Sequence, residues 1–365
     1  MKARFLLAGG GTAGHTVPAI AVARALVAAG ADPASIRFVG ARRGSEGRLV
    51  PKAGFAITLL PGRGIQRRLT PANVAAGLGI SAAFFQALRL VATCRPSAVL
   101  SVGGYAGVPV ALAAAVLRRP LVVAEANAVP GAANRMAARF ARVAAVSFEG
   151  TPLPRAVLTG NPVRAEVLAI DRSPAGRTAA KAALGLPPGR VVIGVSGGSL
   201  GARRLNDAVR DLAGLWSDRS DVAIHHAVGK RDWASFVPPG TSGLHYRHVE
   251  YEDRMDLVLT AADLWLGRAG GSTCAELGVA GVPAVLVPLP GAPGDHQTAN
   301  ARAMAGAGAA VVLADADCSG QGLDEVLGPL VADSGRREAM GAAALTVGHP
   351  DAAERVAALL LEHAQ

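Results

Sequence analysis

The chain has 365 residues, 51% hydrophobic and 18% charged, with 45 Gly and 23 Pro spread along its length; that is globular composition on the scale of two domains, and it excludes a long disordered segment. Charge is unevenly divided: residues 1–160 hold 19 Lys and Arg against 4 Asp and Glu, net +15, and the remainder holds 18 against 23, net −5, within a total of +10. Three widely spaced Cys without a CxxC pair exclude a disulfide framework or zinc site and fit a reducing compartment, and neither a signal peptide nor an apolar run of about 20 residues is expected.

Arg4-Phe5-Leu6-Leu7-Ala8 reads as a buried strand. Gly9-Gly10-Gly11 ends it, and Thr12-Ala13-Gly14-His15 leads to a helix over 19–29, with Thr16 as cap and Pro18 in the first turn. Strand, glycine loop and helix aim backbone N–H groups and a helix dipole at one spot, an arrangement suited to an anion. The loop fits G-x-G-x-x-G at Gly9, Gly11 and Gly14, but the second strand, over 36–40, is followed by Arg42 and Arg43 and by no acid before Glu46. A nicotinamide site needs an acid there and is disfavoured.

A third strand is expected at 56–60. A basic turn with Arg63, Arg67 and Arg68 follows, then a helix over 73–93 that carries Phe84 and Phe85 and only Arg89 as a charge. An apolar helix beside arginines is the pattern of an interfacial membrane contact; a buried helix with a basic lead-in is the alternative. The net charge of the first half likewise suits polyanions or an anionic membrane surface, or marks no more than a solvated Arg-rich face.

Strands at 97–102, 121–124 and 143–148 follow. The first ends in Gly103-Gly104-Tyr105 and the second in Glu125-Ala126-Asn127, with a helix at 131–140. Repeated strand, loop and helix predict a parallel sheet covered on both faces, with its ligand site at the carboxyl ends of the strands. His15, the 103–107 loop, Glu125 and Asn127 then share one rim. Gly160-Asn161-Pro162-Val163-Arg164 marks the expected boundary, dividing residues 1–160 from 161–350.

The pattern restarts with a strand at 191–195, then Ser196-Gly197-Gly198-Ser199-Leu200-Gly201-Ala202 and a helix. Later strands are expected near 222–227, 244–249, 263–266, 283–287 and 309–313, and a final amphipathic helix over 351–364. His225 and His226, adjacent in a strand, point to opposite faces, and one of them is expected in the core. Arg268 precedes Gly270-Gly271-Ser272-Thr273, which opens a helix containing Glu276. These N–H groups, hydroxyls and positive charge suit a nucleotide diphosphate, and Glu276 suits ribose hydroxyls; a capped helix with a surface Glu is the alternative. Gln297 and Asn300, where the next helix opens, suit hydroxyls of a neutral sugar. Asp315-Ala316-Asp317 reads as a turn rather than a metal–diphosphate clamp, and no P-loop is present. A nucleotide-like acidic half and a basic half with a His suggest group transfer from a nucleotide-activated sugar.

These residues resemble the bacterial UDP-N-acetylglucosamine:lipid I N-acetylglucosaminyltransferases of peptidoglycan synthesis, the MurG family. The resemblance lies in Gly10-Gly11-Thr12-Ala13-Gly14-His15, Gly103-Gly104-Tyr105, Glu125-x-Asn127, Gly160-Asn161-Pro162-Val163-Arg164, Gly197-Gly198-Ser199-x-Gly201-Ala202, Arg268-x-Gly270, Glu276 and His296-Gln297-x-x-Asn300-Ala301, in family order along nearly the whole chain. It implies an α/β GT-B fold, with two Rossmann-like parallel-sheet domains facing across a cleft and the last helix returning to the first domain. It implies inverting, metal-independent transfer of N-acetylglucosamine to the muramyl 4-hydroxyl of lipid I, without a cofactor or nucleic acid, by a peripheral protein of the cytoplasmic membrane face. By position, Thr12, Ala13, Gly14, Asn127, Arg164, Ser199, Glu252, Arg268, Gln297 and the run Gly271, Ser272, Thr273, Cys274, Ala275 and Glu276 would contact the donor. Gly10, Gly11, Gly103, Gly104 and Tyr105 would meet the acceptor diphosphate, and Arg67, Arg68, Phe84 and Phe85 the membrane. His15 is the candidate base; a His that orients the loop is the alternative. Ala13 stands for the family's usual Gly, Ala124 and Ala126 for its His and Gln around the Glu, and Glu252 for an apolar residue near the base. The rivals are a UDP-sugar 2-epimerase of the same fold, a nicotinamide oxidoreductase and a non-catalytic nucleotide-binding protein.

Overall fold

The computed structural model describes residues 4–11, 13–42, 44–61 and 72–364, with the side chains at 13, 72–78 and 80 excepted. Thr12, Arg67 and Arg68 therefore lie outside the described residues. The chain divides into two compact units, residues 1–164 with 349–365, and residues 165–348.

In the first unit β1 (Phe5–Ala8), β2 (Ile36–Ala41), β3 (Ala56–Leu60), β4 (Ala98–Ser101), β5 (Leu121–Glu125), β6 (Val143–Val146) and β7 (Ala156–Leu158) alternate with α1 (Ala13–Ala28), α2 (Glu46–Lys52), α3 (Ala72–Cys94), α4 (Gly104–Val116) and α5 (Ala132–Ala137). The sheet is wholly parallel in the order β3-β2-β1-β4-β5-β6-β7. Its order reverses between β1 and β4, the place where such sheets open a crevice beyond their strand ends. Strand side chains alternate between two apolar layers. Leu6, Ala8, Val99, Leu121, Val123 and Val146 meet α3, α4 and α5. Phe5, Leu7, Leu100, Val122 and Val143 meet α1 and α2.

The second unit follows with α6 (Ala165–Leu168), α7 (Pro174–Ala183), β8 (Val191–Ser196), α8 (Arg203–Leu215), β9 (Val222–Ala227), β10 (His245–Val249), α9 (Met255–Ala261), β11 (Leu264–Gly267), α10 (Gly271–Ala280), β12 (Ala284–Leu286), α11 (His296–Gly306), β13 (Ala310–Val312), α12 (Gly320–Ala332) and α13 (Ser334–Val347). Its parallel sheet runs β10-β9-β8-β11-β12-β13 and reverses between β8 and β11. Helices α8 and α12 bury Leu205, Val209, Leu212, Leu323 and Leu327 against one face.

The last helix, α14 (Ala352–Glu362), belongs to the first unit. Its Ala353, Val356, Ala357 and Leu360 join Ala19, Val22, Ala23 and Leu26 of α1 in one core. Arg355 donates to the carbonyl of Leu158 at the end of β7.

Two local expectations change. Helix α1 begins at Ala13, so Thr16 lies inside it, 3% exposed, rather than capping it. Pro18 sits about a turn further in than expected and forgoes one helical hydrogen bond. His225 and His226 are both buried, at 1% and 0% exposure, because β9 is flanked by β8 and β10 and covered on both faces.

Candidate functional site

In the first unit the glycine loop lies over a buried carboxylate. Glu46, 1% exposed, accepts from the N–H of Gly11 at 3.1 and 3.2 Å and from that of Ala41 at 2.7 Å. Side chains at Gly10, Gly40 and Gly44 would collide with it, their Cβ positions lying 2.0, 2.3 and 1.9 Å from Glu46 atoms. Three glycines thus form a socket for one carboxylate. The Gly11 N–H is thus engaged within the protein by Glu46. The sequence signal was the clustering of Gly around the first acid after β2.

The second glycine turn packs directly on the first. Gly104, at φ +74°, would place a Cβ 2.2 Å from the carbonyl oxygen of Gly10, so no other residue fits there. Gly103 caps α4 without a side-chain bond, which presents the first-turn N–H groups at that point. The Tyr105 hydroxyl lies 2.8 Å from the carbonyl oxygen of Pro61 and 3.3 Å from that of Gly79, placing it between the two ends of the 61–79 stretch. Burial raises the Tyr105 pKa, so the hydroxyl remains a donor.

His15 and Gly14, in the first turn of α1, line a pocket with Pro18, Val22, Val102, Glu125, Ala126, Ser147 and Asn161. It lies beyond the carboxyl ends of the strands. Both oxygens of Glu125 are engaged. Oε1 accepts from the backbone N–H and side-chain amide of Asn127, at 3.0 and 2.9 Å; Oε2 accepts from the Gly131 N–H at 3.0 Å and from Asn134 Nδ2 at 2.8 Å. Glu125 therefore organises the 125–134 loop and fixes the Asn127 amide. Arg164, half-buried, is the last residue before the second unit.

In the second unit Ser199 is exposed in the turn between β8 and α8. That turn is held by Gly201 and Gly229, both at positive φ and so close that a Cβ on Gly229 would lie 2.1 Å from the Gly201 nitrogen. Glu252 points inward. Its Oε2 meets His225 Nε2 at 2.9 Å, and its Oε1 accepts from the Arg254 N–H at 2.8 Å. Its side chain is committed to pinning this loop to β9. Burial depresses the His225 pKa despite the carboxylate. His226 is held between Asn206 and Tyr246 at 3.0 and 2.7 Å, and burial lowers its pKa to about 3.

Helix α10 starts at Gly271 with no side-chain cap on Gly270, so its first-turn N–H groups face outward beyond β11. Ser272, Thr273, Ala275 and Glu276 are partly exposed there. Cys274 is buried, its thiol pKa pushed up to about 12, and its N–H donates to Gly270, so it offers a ligand nothing but packing. Arg268 makes several contacts within the protein. It is 9% exposed, donates to the carbonyls of Val287 and Pro288 at 3.1 Å each, and pairs with Asp315 at 2.6 Å. Asp315 neutralises that charge and also meets Arg204 at 3.3 Å, so the Asp315–Asp317 turn serves as an internal strut. Gln297 Oε1 accepts from the Leu289 N–H at 3.0 Å, and buried Asn300 donates to the Ala269 carbonyl at 3.0 Å. These bonds tie α11 to the α10 turn and to the 288–292 loop. Among the described residues no group of three His, Cys, Asp or Glu is placed to hold a metal.

Each unit thus presents a helix start at the ends of a parallel sheet, the first beside an imidazole and the second beside Ser272, Thr273 and Glu276. Residues 5–146 match the glycosyltransferase family 28 N-terminal domain, and residues 192–356 match its C-terminal domain. A UDP-N-acetylglucosamine–N-acetylmuramyl-(pentapeptide) pyrophosphoryl-undecaprenol N-acetylglucosamine transferase of a Nocardioides species is 43% identical over 360 residues, 98% of either chain. The crystal structure of Acinetobacter baumannii MurG superposes with a TM-score of 0.78 at 28% identity, over 98% of this chain and 99% of that one. The Neisseria meningitidis UDP-GlcNAc 2-epimerase bound to UDP-GlcNAc reaches 0.66 at 13% identity over 98% and 100%, a likeness of fold alone. The two parallel-sheet units are those of the GT-B fold, and the chain belongs to glycosyltransferase family 28, among the N-acetylglucosamine transferases of the MurG family.

Proposed function

We propose that the chain transfers N-acetylglucosamine from UDP-N-acetylglucosamine to the 4-hydroxyl of the muramyl sugar of lipid I. The relationship to the Nocardioides transferase along nearly all of both chains carries this reading. The geometry supports a division of labour. The second unit takes the donor, with its diphosphate at the first turn of α10, its ribose at Glu276, and the turn bearing Ser199, the Glu252 backbone and Gln297 around it. The first unit takes the acceptor, with its diphosphate at Gly103 and the α4 start and its sugar beside His15. Gly14, Asn127 and Arg164 extend the donor contacts.

Neutral His15 takes the proton of the attacking hydroxyl. The oxygen bonds to the sugar C1 as the C1–O bond to the diphosphate breaks, and a single displacement inverts the anomeric centre. Charge gathering on the departing UDP is met by the uncapped N–H groups and dipole of α10.

We further propose that the protein lies on the cytoplasmic membrane face. Phe85 is 67% exposed on α3, with Phe84 half-buried beside it, the two ring centroids 5.7 Å apart. Among the described residues no helix is long and apolar enough to cross a membrane.

The test is transfer of radiolabel from UDP-N-acetylglucosamine to a lipid I analogue in anionic vesicles. Labelled product is expected, and its absence overturns the reading. His15→Ala is expected to lower kcat by about 10²–10⁴ with donor affinity unchanged; surviving turnover assigns His15 to loop orientation.

A further inference from the structure

The loop over residues 250–254 is tied down along its length. The carbonyls of Val249 and Glu250 accept from the N–H groups of Val228 and Gly229, at 3.0 and 2.9 Å. Lys230, next in the chain, donates its own N–H to the Ser199 carbonyl at 3.4 Å and sets its ammonium 4.9 Å from the centre of the Tyr251 ring. The turns after β8 and β9 and this loop after β10 therefore share one rim at the carboxyl ends of their strands. At the middle of the loop stands a polar pair that is costly to keep. The side chains of His225 and Glu252 are 1 and 10% exposed. A carboxylate can only accept, so the imidazole nitrogen that faces it, Nε2 at 2.9 Å, is the one that carries the proton. The ring then turns Nδ1 inward, where it has no hydrogen-bond partner among the described residues. Burial depresses the His225 pKa, in keeping with a ring that takes no second proton. The pair stands where the family resemblance implies an apolar residue, so packing alone could have filled the place. An apolar contact there tolerates several arrangements of the loop, whereas a buried hydrogen-bonded pair permits one.

We propose that the His225–Glu252 pair is the positioning element that sets loop 250–254 against the uracil of the donor and so establishes a preference for UDP over other nucleoside diphosphates. The inference rests on the donor reading above, in which the nucleotide lies on this unit with the Glu252 backbone beside it. Both carboxylate oxygens are engaged, by His225 and by the Arg254 N–H, so Glu252 does not read the base through its side chain. It holds the main chain that does. On the edge concerned, uracil presents an oxygen and an N–H where cytosine presents an amino group and a bare nitrogen. Main-chain groups fixed in place tell these two apart, and groups that have come loose do not.

The experiment titrates UDP and CDP into the full-length protein by calorimetry, with CDP measured as a competitor of UDP where its own heat is too small. Glu252→Leu keeps the bulk and removes both acceptors. It is expected to weaken UDP about tenfold and CDP by less than about twofold, so that the ratio of the two dissociation constants collapses. His225→Leu removes the donor from the other side; it is expected to do the same and decides the matter if Glu252→Leu does not fold. His225→Gln restores a side-chain N–H toward Glu252 and is expected to bring the ratio back to within about threefold of wild type. Equal weakening of both nucleotides, as a general loosening of the unit would give, overturns the proposal. So does an unchanged ratio, a His225→Gln variant no better than His225→Leu, or a wild-type protein that binds both nucleotides alike. A wild-type protein that binds neither overturns the donor reading, and the proposal with it.

Discussion

Glu46 and His226 show how single buried polar groups shape this protein. Glu46 is a fully enclosed carboxylate whose socket is made of glycines, and its bond to Gly11 shapes the loop beside which His15 stands. His226 is enclosed as an uncharged ring, its pKa lowered to about 3 from 6.5. The unfolded chain binds a proton there below pH 6.5 that the folded chain refuses, so stability falls as pH drops. The slope is about 1.4 kcal/mol per pH unit, or about 2 kcal/mol between pH 6.5 and 5. His225, also shifted downward by burial, acts in the same direction. Urea midpoints at pH 7, 6 and 5 should follow that trend, and His226→Gln should flatten it; an unchanged slope places the proton uptake elsewhere. At this scale the sequence was least legible. Arg268 reads as a ligand group from its neighbours in the chain and Glu252 from the family resemblance, and the structure pairs them with partners distant in sequence, Asp315 and His225. Nothing local announces such pairings.

The elements were far easier to read. Short apolar runs between glycine turns mark parallel strands because both faces are buried, and every strand named above as expected has its counterpart among the described residues. What misled was the start of α1, where Ala13, Gly14 and His15 offered no capping signal and Thr16 did. The helical layer of the first unit has its own consequence. Helices α3, α4 and α5 cover one face of the sheet. On or just after these helices Phe85, Val116 and Phe140 are 67, 62 and 52% exposed, each within a few residues of an exposed arginine, Arg89, Arg118 or Arg139. Large apolar side chains among arginines suit the boundary of an anionic bilayer. Replacing Phe85 and Phe140 with Ser should weaken sedimentation with anionic vesicles at least several-fold while leaving the melting temperature within about 2 °C, because little buried area is lost. Unchanged vesicle binding would remove this face from consideration.

Across the whole molecule the second unit is an insertion: the chain leaves the first unit after Arg164 and returns at His349. The return has energetic weight because Val356 and Leu360 are fully buried against α1. Leu360→Ala should cost the first unit about 2–5 kcal/mol in urea unfolding, whereas Leu361→Ala, at a residue 37% exposed, should change it by less than about 1 kcal/mol. Equal effects would mean that α14 does not contribute to that core.

The same return sets an order of assembly during synthesis. The first unit is begun first on the ribosome and completed last, since the residues that close its core are made after the whole second unit. At about 5–20 residues per second, the interval from residue 164 to 349 lasts on the order of ten to forty seconds. Throughout it the apolar stripe Ala19–Val22–Ala23–Leu26 lacks its final cover, and by its end the second unit has every residue it needs. The nascent chain therefore carries a finished domain beside an unfinished one, and that stripe is where a chaperone would find it.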